Sequence, residues 1–405
     1  MKTAALPYDM NQPFKLKNPI QNYAWGSHSA IQGLMGLSPT PEPWAELWMG
    51  AHPAAPSRIC VNSEWMFLDT FIRQSPEPIL GKKTAEKYQN TLPFLFKLLA
   101  AEKPLSIQAH PDKMQAQEGF DRENRLGIPL TDPKRNYKDF HHKPECICAL
   151  TPFTGLKGFR HIDDIAAQLA VLCPENLAEA LGILKTEGLK PFFKALMAIP
   201  LAQKTAVIRE TVKNADADAT ANPVFKWILA LFRHYPEDIG ILSPAILNLF
   251  HLAPGEALFL PAGELHAYLA GFGIELMANS DNVLRGGLTP KHIDVPELMK
   301  VLNFRESTLS ILRPERASDM EAKYPVFAEE FSFSVIHVTC TAAYISPDLR
   351  GPEILLCTQG AADLSIDGQD ASIPMISGEA AFIPATADAY KVTGDARIYK
   401  AGVPI

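Results

Sequence analysis

The chain has 405 residues, 47% of them apolar. At about 150 residues per domain it holds two or three compact units with a core in each, which excludes a small disulfide-held scaffold. Lys and Arg number 38 against 45 Asp and Glu, a net charge of −7 with no block of five like charges, so neither nucleic acid nor a membrane surface is expected as a partner. Cys60, Cys146, Cys148, Cys173, Cys340 and Cys357 contain no C-x-x-C pair, and Met1–Lys17 lacks the apolar run of a secretory signal, which points to reduced thiols in the cytoplasm; a monomer is expected. No apolar stretch reaches the roughly 18 residues of a membrane span. The 34 prolines, above the usual share of about 5%, favour a turn-rich β architecture with a helical part attached.

In Pro104–Lys113 (PLSIQAHPDK), Ser106, Gln108 and His110 alternate with Leu105, Ile107 and Ala109. Period two puts the three polar side chains on one face of a strand. Solvent exposure is one reading of that face; the other is a metal ion held by an imidazole and an amide oxygen. In His141–Leu150 (HHKPECICAL), Glu145, Ile147 and Ala149 take one face while Cys146 and Cys148 take the other, where they are assigned to packing. An acid entering an apolar strand is costly unless paired or bound to metal. Glu145 is either a ligand or the partner of Lys143 or His142. From Asp163 to about Phe250, Ile165, Leu169 and Leu172, then Leu177, Leu181 and Leu184, recur at helical spacing. This predicts short helices, with Asp163 and Asp164 at the N-cap and breaks at Pro174, Pro191, Pro200, Pro223, Pro236 and Pro244. Asn214–Asn222 (NADADATAN) reads as an exposed loop.

Further along, Gly255, Pro261, Gly263 and His266 stand at spacings that return in altered form as Gly378, Pro384, Thr386 and Ala389. A strand running into a Pro-started turn, with Gly for a left-handed φ and His just beyond, looks like the second metal motif of the cupin jelly roll. In the second copy Ala389 replaces the His, so that barrel is expected to have lost its metal. Gln108, His110, Glu145 and His266 together suit zinc or another divalent ion. No H-E-x-x-H, G-x-S-x-G or complete G-x-G-x-x-G occurs. Gly273–Asp294, with Glu275, Asp281, Arg285 and Lys291, is placed at the mouth of the same barrel. Ser332–Val338, Ile354–Cys357 and Ala380–Pro384 read as strands. The expected fold is mainly β with a helical insert: two cupin-like jelly-roll domains, the second a degraded copy without a metal site. Residues 1–158 and 247–320 would form the catalytic domain, 159–246 the insert and 321–405 the C-terminal β domain.

These residues carry a resemblance over nearly the whole chain. QNYAWGS (Gln21–Ser27), ELWMGAHP (Glu46–Pro53), PLSIQAHPDK, HKPE (His142–Glu145), PAGELHAYLAG (Pro261–Gly271) and NSDNVLRGGLTPK (Asn279–Lys291) resemble the type I phosphomannose isomerases. The resemblance implies one zinc ion per chain, held by Gln108, His110, Glu145 and His266. It implies reversible interconversion of mannose 6-phosphate and fructose 6-phosphate through an enediolate. Arg285 and Lys143 would hold negative charge, and Glu275 or Lys143 would move the proton. Phosphate would go to Ser106 and Lys113, with Lys97 either adding to them or being a solvated lysine beside Phe94–Phe96. An oxygenase of the same fold wants a redox-active ion and a facial triad, and Gln108 counts against it. A non-catalytic sugar-binding relative would lose Arg285, Glu275 or Lys143 first, and all three are present.

Overall fold

The computed structural model describes residues 9–404, so part of Met1–Lys17 lies outside the described residues. Its framework is mainly β, with two antiparallel sheets of eleven strands each among the described residues. In the first, Glu46–Gly50, Phe94–Ala101, His266–Ala278, Glu145–Ala149 and Ala257–Leu260 lie side by side in that order. Phe94–Ala101 (FLFKLLAA) is central and buried at every position. Phe94, Phe96, Leu98 and Ala100 face a core shared with the second sheet, and Leu95, Lys97 and Leu99 face the other way. Cys146 and Cys148 fall in that shared core, opposite to Glu145, as the alternation predicts.

Strand His266–Ala278 belongs to two layers. Its residues 271–278 pair with Phe94–Ala101, and its first residues pair with Phe153–Phe159. A register shift between Tyr268 and Ala270 marks the change. One extra residue reverses the alternation of a strand. His266 and Glu275 would otherwise face opposite ways; the bulge lets both reach one site.

The second sheet runs Ser332–Val338, Tyr390–Gly402, Glu353–Ile366, Ala380–Ile383 and then Phe14–Lys17, Arg58–Val61 and Glu64–Phe67. The three strands read from the sequence are present, Ile354–Cys357 as the start of a longer one. Three strands from the N-terminal part of the chain, Phe14–Lys17, Arg58–Val61 and Glu64–Phe67, thus lie in the second sheet. Ala380–Ile383 has a free edge, and Phe14–Lys17 covers it with Phe14 opposite Phe382.

Between the sheets' strands sit the helices Ile162–Leu172, Ala178–Glu187, Leu189–Met197, Leu201–Asp216 and Pro223–His234. His161 rather than Asp163 or Asp164 occupies the N-cap of the first; the two acids lie in its first turn, where the helix dipole favours them. Pro191 also sits in a first turn, where its missing N–H costs nothing, and the break falls at Gly188. Leu201–Asp216 runs through Asn214, because Ala215 is buried in the insert core, so the exposed loop shortens to 217–222. No helix among the described residues is long and apolar enough to cross a membrane.

Candidate metal centre and active-site cavity

Three neighbouring strands set out one edge of the site. His266 stands opposite Gln108, and Gln108 stands opposite Arg285 on Leu284–Gly287. Opposed residues share a face, and strands are about 4.8 Å apart, so the three side chains form a row. Glu145 arrives from the other layer, opposite Met277 and Leu260. His110 follows the short strand Ile107–Ala109.

The ligating atoms of His110, Glu145 and His266 lie within 4.8 Å of one another, and all three residues are buried. His110 Nδ1 is 2.7 Å from the Asn282 carbonyl and His266 Nδ1 is 3.0 Å from that of Glu264. A carbonyl only accepts, so each Nδ1 donates and each Nε2 turns a lone pair toward Glu145. Those Nε2 atoms stand 3.4 and 3.2 Å from the Glu145 carboxylate, yet both of them and Glu145 Oε2 lack a hydrogen-bond partner. Orphaned buried polar atoms are costly, and three that converge fit a cation. Burial pushes His110 down to about 4, which keeps the imidazole a ligand. Burial would raise Glu145, but the Lys143 ammonium at 3.1 Å holds it well below the usual carboxylate range.

Beside the triad opens a cavity of 780 Å³ whose walls include Ser106, Gln108, Lys143, Glu275, Arg285 and Lys291. Lys97 lines it too, but its ammonium is 3.0 Å from Glu275 and 3.8 Å from Glu46 and sits over the Trp48 ring. Burial would lower its pKa; the two acids outweigh that and raise it. Glu275 is raised by burial, against Lys97, with Glu145 and Glu46 adding to the rise. Arg285 and Lys291 have no acid partner among the described residues. Arg285 is lowered by burial, and Lys291 by the Arg285 charge and then by burial. Lys113 is elsewhere: it is exposed, opens the helix Lys113–Arg125 and does not line the cavity. That geometry does not carry its expected contact with phosphate.

Sequence reasoning missed Glu46, whose carboxylate also accepts from Trp48 Nε1 at 2.6 Å, and the His52–Asp281 pair at 3.3 Å. Glu46 bears the signal that singled out Glu145, an acid in a wholly buried strand.

Residues 13–162 match the profile described as phosphomannose isomerase type I, catalytic domain. Mannose-6-phosphate isomerase of Salmonella typhimurium is 39% identical over 389 residues, covering 95% of this chain and 98% of the relative. The chain belongs to the type I phosphomannose isomerase family. The human mannose-6-phosphate isomerase is 34% identical, with 92% and 93% of the two chains covered. A solved mannose 6-phosphate isomerase described as zinc-bound superposes with a TM-score of 0.88 at 37% identity, over 98% of this chain and all of that one. As a phosphomannose isomerase family member the chain is an enzyme. Two imidazoles, a carboxylate and a nearby amide form a donor set zinc accepts.

Proposed function

We propose that the protein interconverts mannose 6-phosphate and fructose 6-phosphate through an enediolate. The observation that carries this reading is a cluster of three orphaned metal-ligand atoms beside one cavity, which Glu145 of that cluster lines together with Arg285 and Lys291, two cations without an acid partner among the described residues. Gln108, His110, Glu145 and His266 hold the zinc, which when bound supplies an electrophile for the sugar oxygens. The reaction takes a proton from C2 and returns one to C1, while a hydroxyl proton passes from O2 to O1. Glu275 is the first candidate for the carbon-bound proton, because burial raises its affinity for one, and Lys143 is the second. Arg285 and Lys143 face the developing negative charge. Ser106 keeps its phosphate role, and Lys291 takes the place foreseen for Lys113. Lys97 is committed to Glu275 and Glu46 and orients the base instead.

The same reading treats residues 1–158 with 247–320 as a catalytic cupin-like domain, 159–246 as an insert, and 321–405 as a degraded copy. In support, Gly255 and Gly378 have φ of 88° and 87°, and the strand pairs after them are four and thirteen residues long in both copies. Gly263 takes a φ of 78°, whereas Thr386 is not left-handed. The partner is a small sugar phosphate, and the protein acts as a cytoplasmic monomer. The test is a coupled assay for fructose 6-phosphate on metal-analysed protein. Turnover abolished by a chelator and restored by zinc is expected; zinc-loaded protein without turnover would sink the reading.

A further inference from the structure

The segment that carries Lys143 into the cavity is tied down from three directions. Asn282 Nδ2 and Ser280 Oγ donate to the His141 carbonyl at 2.8 and 3.2 Å, and the Ala278 N–H donates to that of Pro144 at 3.0 Å. Both ties come from the first barrel. The third crosses from the second: Glu330 Oε1 lies 2.8 Å from His142 Nε2, with the carboxylate 11% exposed. Glu330 stands just before strand Ser332–Val338, in a turn whose Glu329 pairs with Lys87 at 3.0 Å and accepts from Tyr88 at its carbonyl. Burial would raise the Glu330 pKa, and its contact with His142 holds it down.

His142 and Lys143 are adjacent in an extended stretch, so their side chains leave it on opposite sides, one toward the second barrel and one toward Glu145. Pro144 biases Lys143 further toward extended backbone. The carbonyl ties fix His141 and Pro144; the two residues between them are held by their side chains, Lys143 by Glu145 at 3.1 Å and His142 by Glu330 at 2.8 Å. Resting on the isomerase reading, we infer that Glu330 is a positioning residue: through His142 it sets the direction of Lys143. A barrel without the ligand triad thereby acts on the reaction. Small displacements of a group in contact with substrate cost rate more than binding.

Glu330→Ala tests this, with kcat, KM, zinc content and unfolding temperature measured beside the unsubstituted protein. The expected result is a kcat lower by about ten- to a hundredfold, KM changed less than about threefold, and one zinc per chain retained. Glu330→Gln keeps an acceptor for His142 and is expected to restore most of that kcat. If Glu330→Ala does not fold, Glu330→Asp, one methylene shorter, replaces it with the same criteria. Unchanged kcat, or a kcat loss that follows the loss of folded protein, overturns the inference. So does a Gln variant as slow as the Ala variant. A lack of turnover in the unsubstituted, zinc-loaded protein overturns the isomerase reading and this inference with it.

Discussion

His266 shows how much one side chain can be asked to do. Its Nδ1 is spent on the Glu264 carbonyl, and its Nε2 has no protein partner. His266→Ala is expected to weaken zinc binding by more than about a hundredfold, because losing outer partners alone costs ten- to a hundredfold. Chelator competition reads this, and stoichiometric zinc after dialysis would show the ligand to be misassigned. Arg285 and Lys291 differ in what they meet along the reaction. A donor aimed at charge that develops only in the transition state lowers kcat when removed, and a phosphate clamp raises KM. Arg285→Ala is expected to cut kcat at least about a hundredfold, the scale of one lost oxyanion donor, with zinc unchanged. Arg285→Lys should recover part of it, keeping charge without the planar fork. For Lys291→Ala the rise should be in KM. Steady-state kinetics of the three variants separate the roles, and a KM effect alone at Arg285 would move it to the phosphate end.

Elements built from strict alternation were legible in the sequence, and elements that break it were not. Ser106 and Gln108 line one cavity, on the face period two gave them, whereas only the strand ladder sets Arg285 opposite Gln108. Glu145 and its cysteines separate as read. The bulge at Tyr268 and Ala270 has no local marker, since only pairing with distant strands defines it. Lys113 was expected at the phosphate from the resemblance alone, and Asp112 and Gln115 form a capping box that turns the chain into a helix there. Within the insert, Glu210 clamps the turn after the first helix, accepting from Cys173 Sγ at 2.8 Å, the Glu175 and Asn176 N–H groups at 3.0 Å and Asn176 Nδ2 at 2.8 Å. Burial would raise its pKa; these donors bring it down to about 2. Its contribution to stability is complete above the unfolded carboxylate pKa of about 4.3 and drains away as pH falls toward 2. Glu210→Gln should therefore lower the unfolding temperature at pH 7 and narrow the difference from the parent on acidification. A constant gap from pH 7 to 3 would remove the carboxylate from the argument. The exposed Glu187 in the same insert serves as a control, with Glu187→Ala leaving kcat intact.

At the scale of the whole molecule, the two sheets share a core in which Phe96, Cys146 and Leu276 meet Phe333, Leu356 and Tyr399. Beside the second sheet lies a buried network: Lys400 is 2.9 Å from Glu321, 3.4 Å from Glu353 and 2.8 Å from the Tyr344 hydroxyl. One zinc per chain is expected by elemental analysis, and a second tightly held ion between Gly360 and Ala389 would contradict the repeat's decay. Phe14–Lys17, the first strand among the described residues, lies between Arg58–Val61 and Ala380–Ile383, so one of its edges waits for a strand near the C-terminal end of the described residues. During synthesis Arg58–Val61 follows this segment closely and can pair with one of its edges, while the other edge stays open until Ala380–Ile383 emerges. Closure over such a sequence distance is slow, and an unpaired edge recruits other chains. The second sheet is consequently closed only when the C-terminal strands have been made, and until then one edge of Phe14–Lys17 is open to other chains.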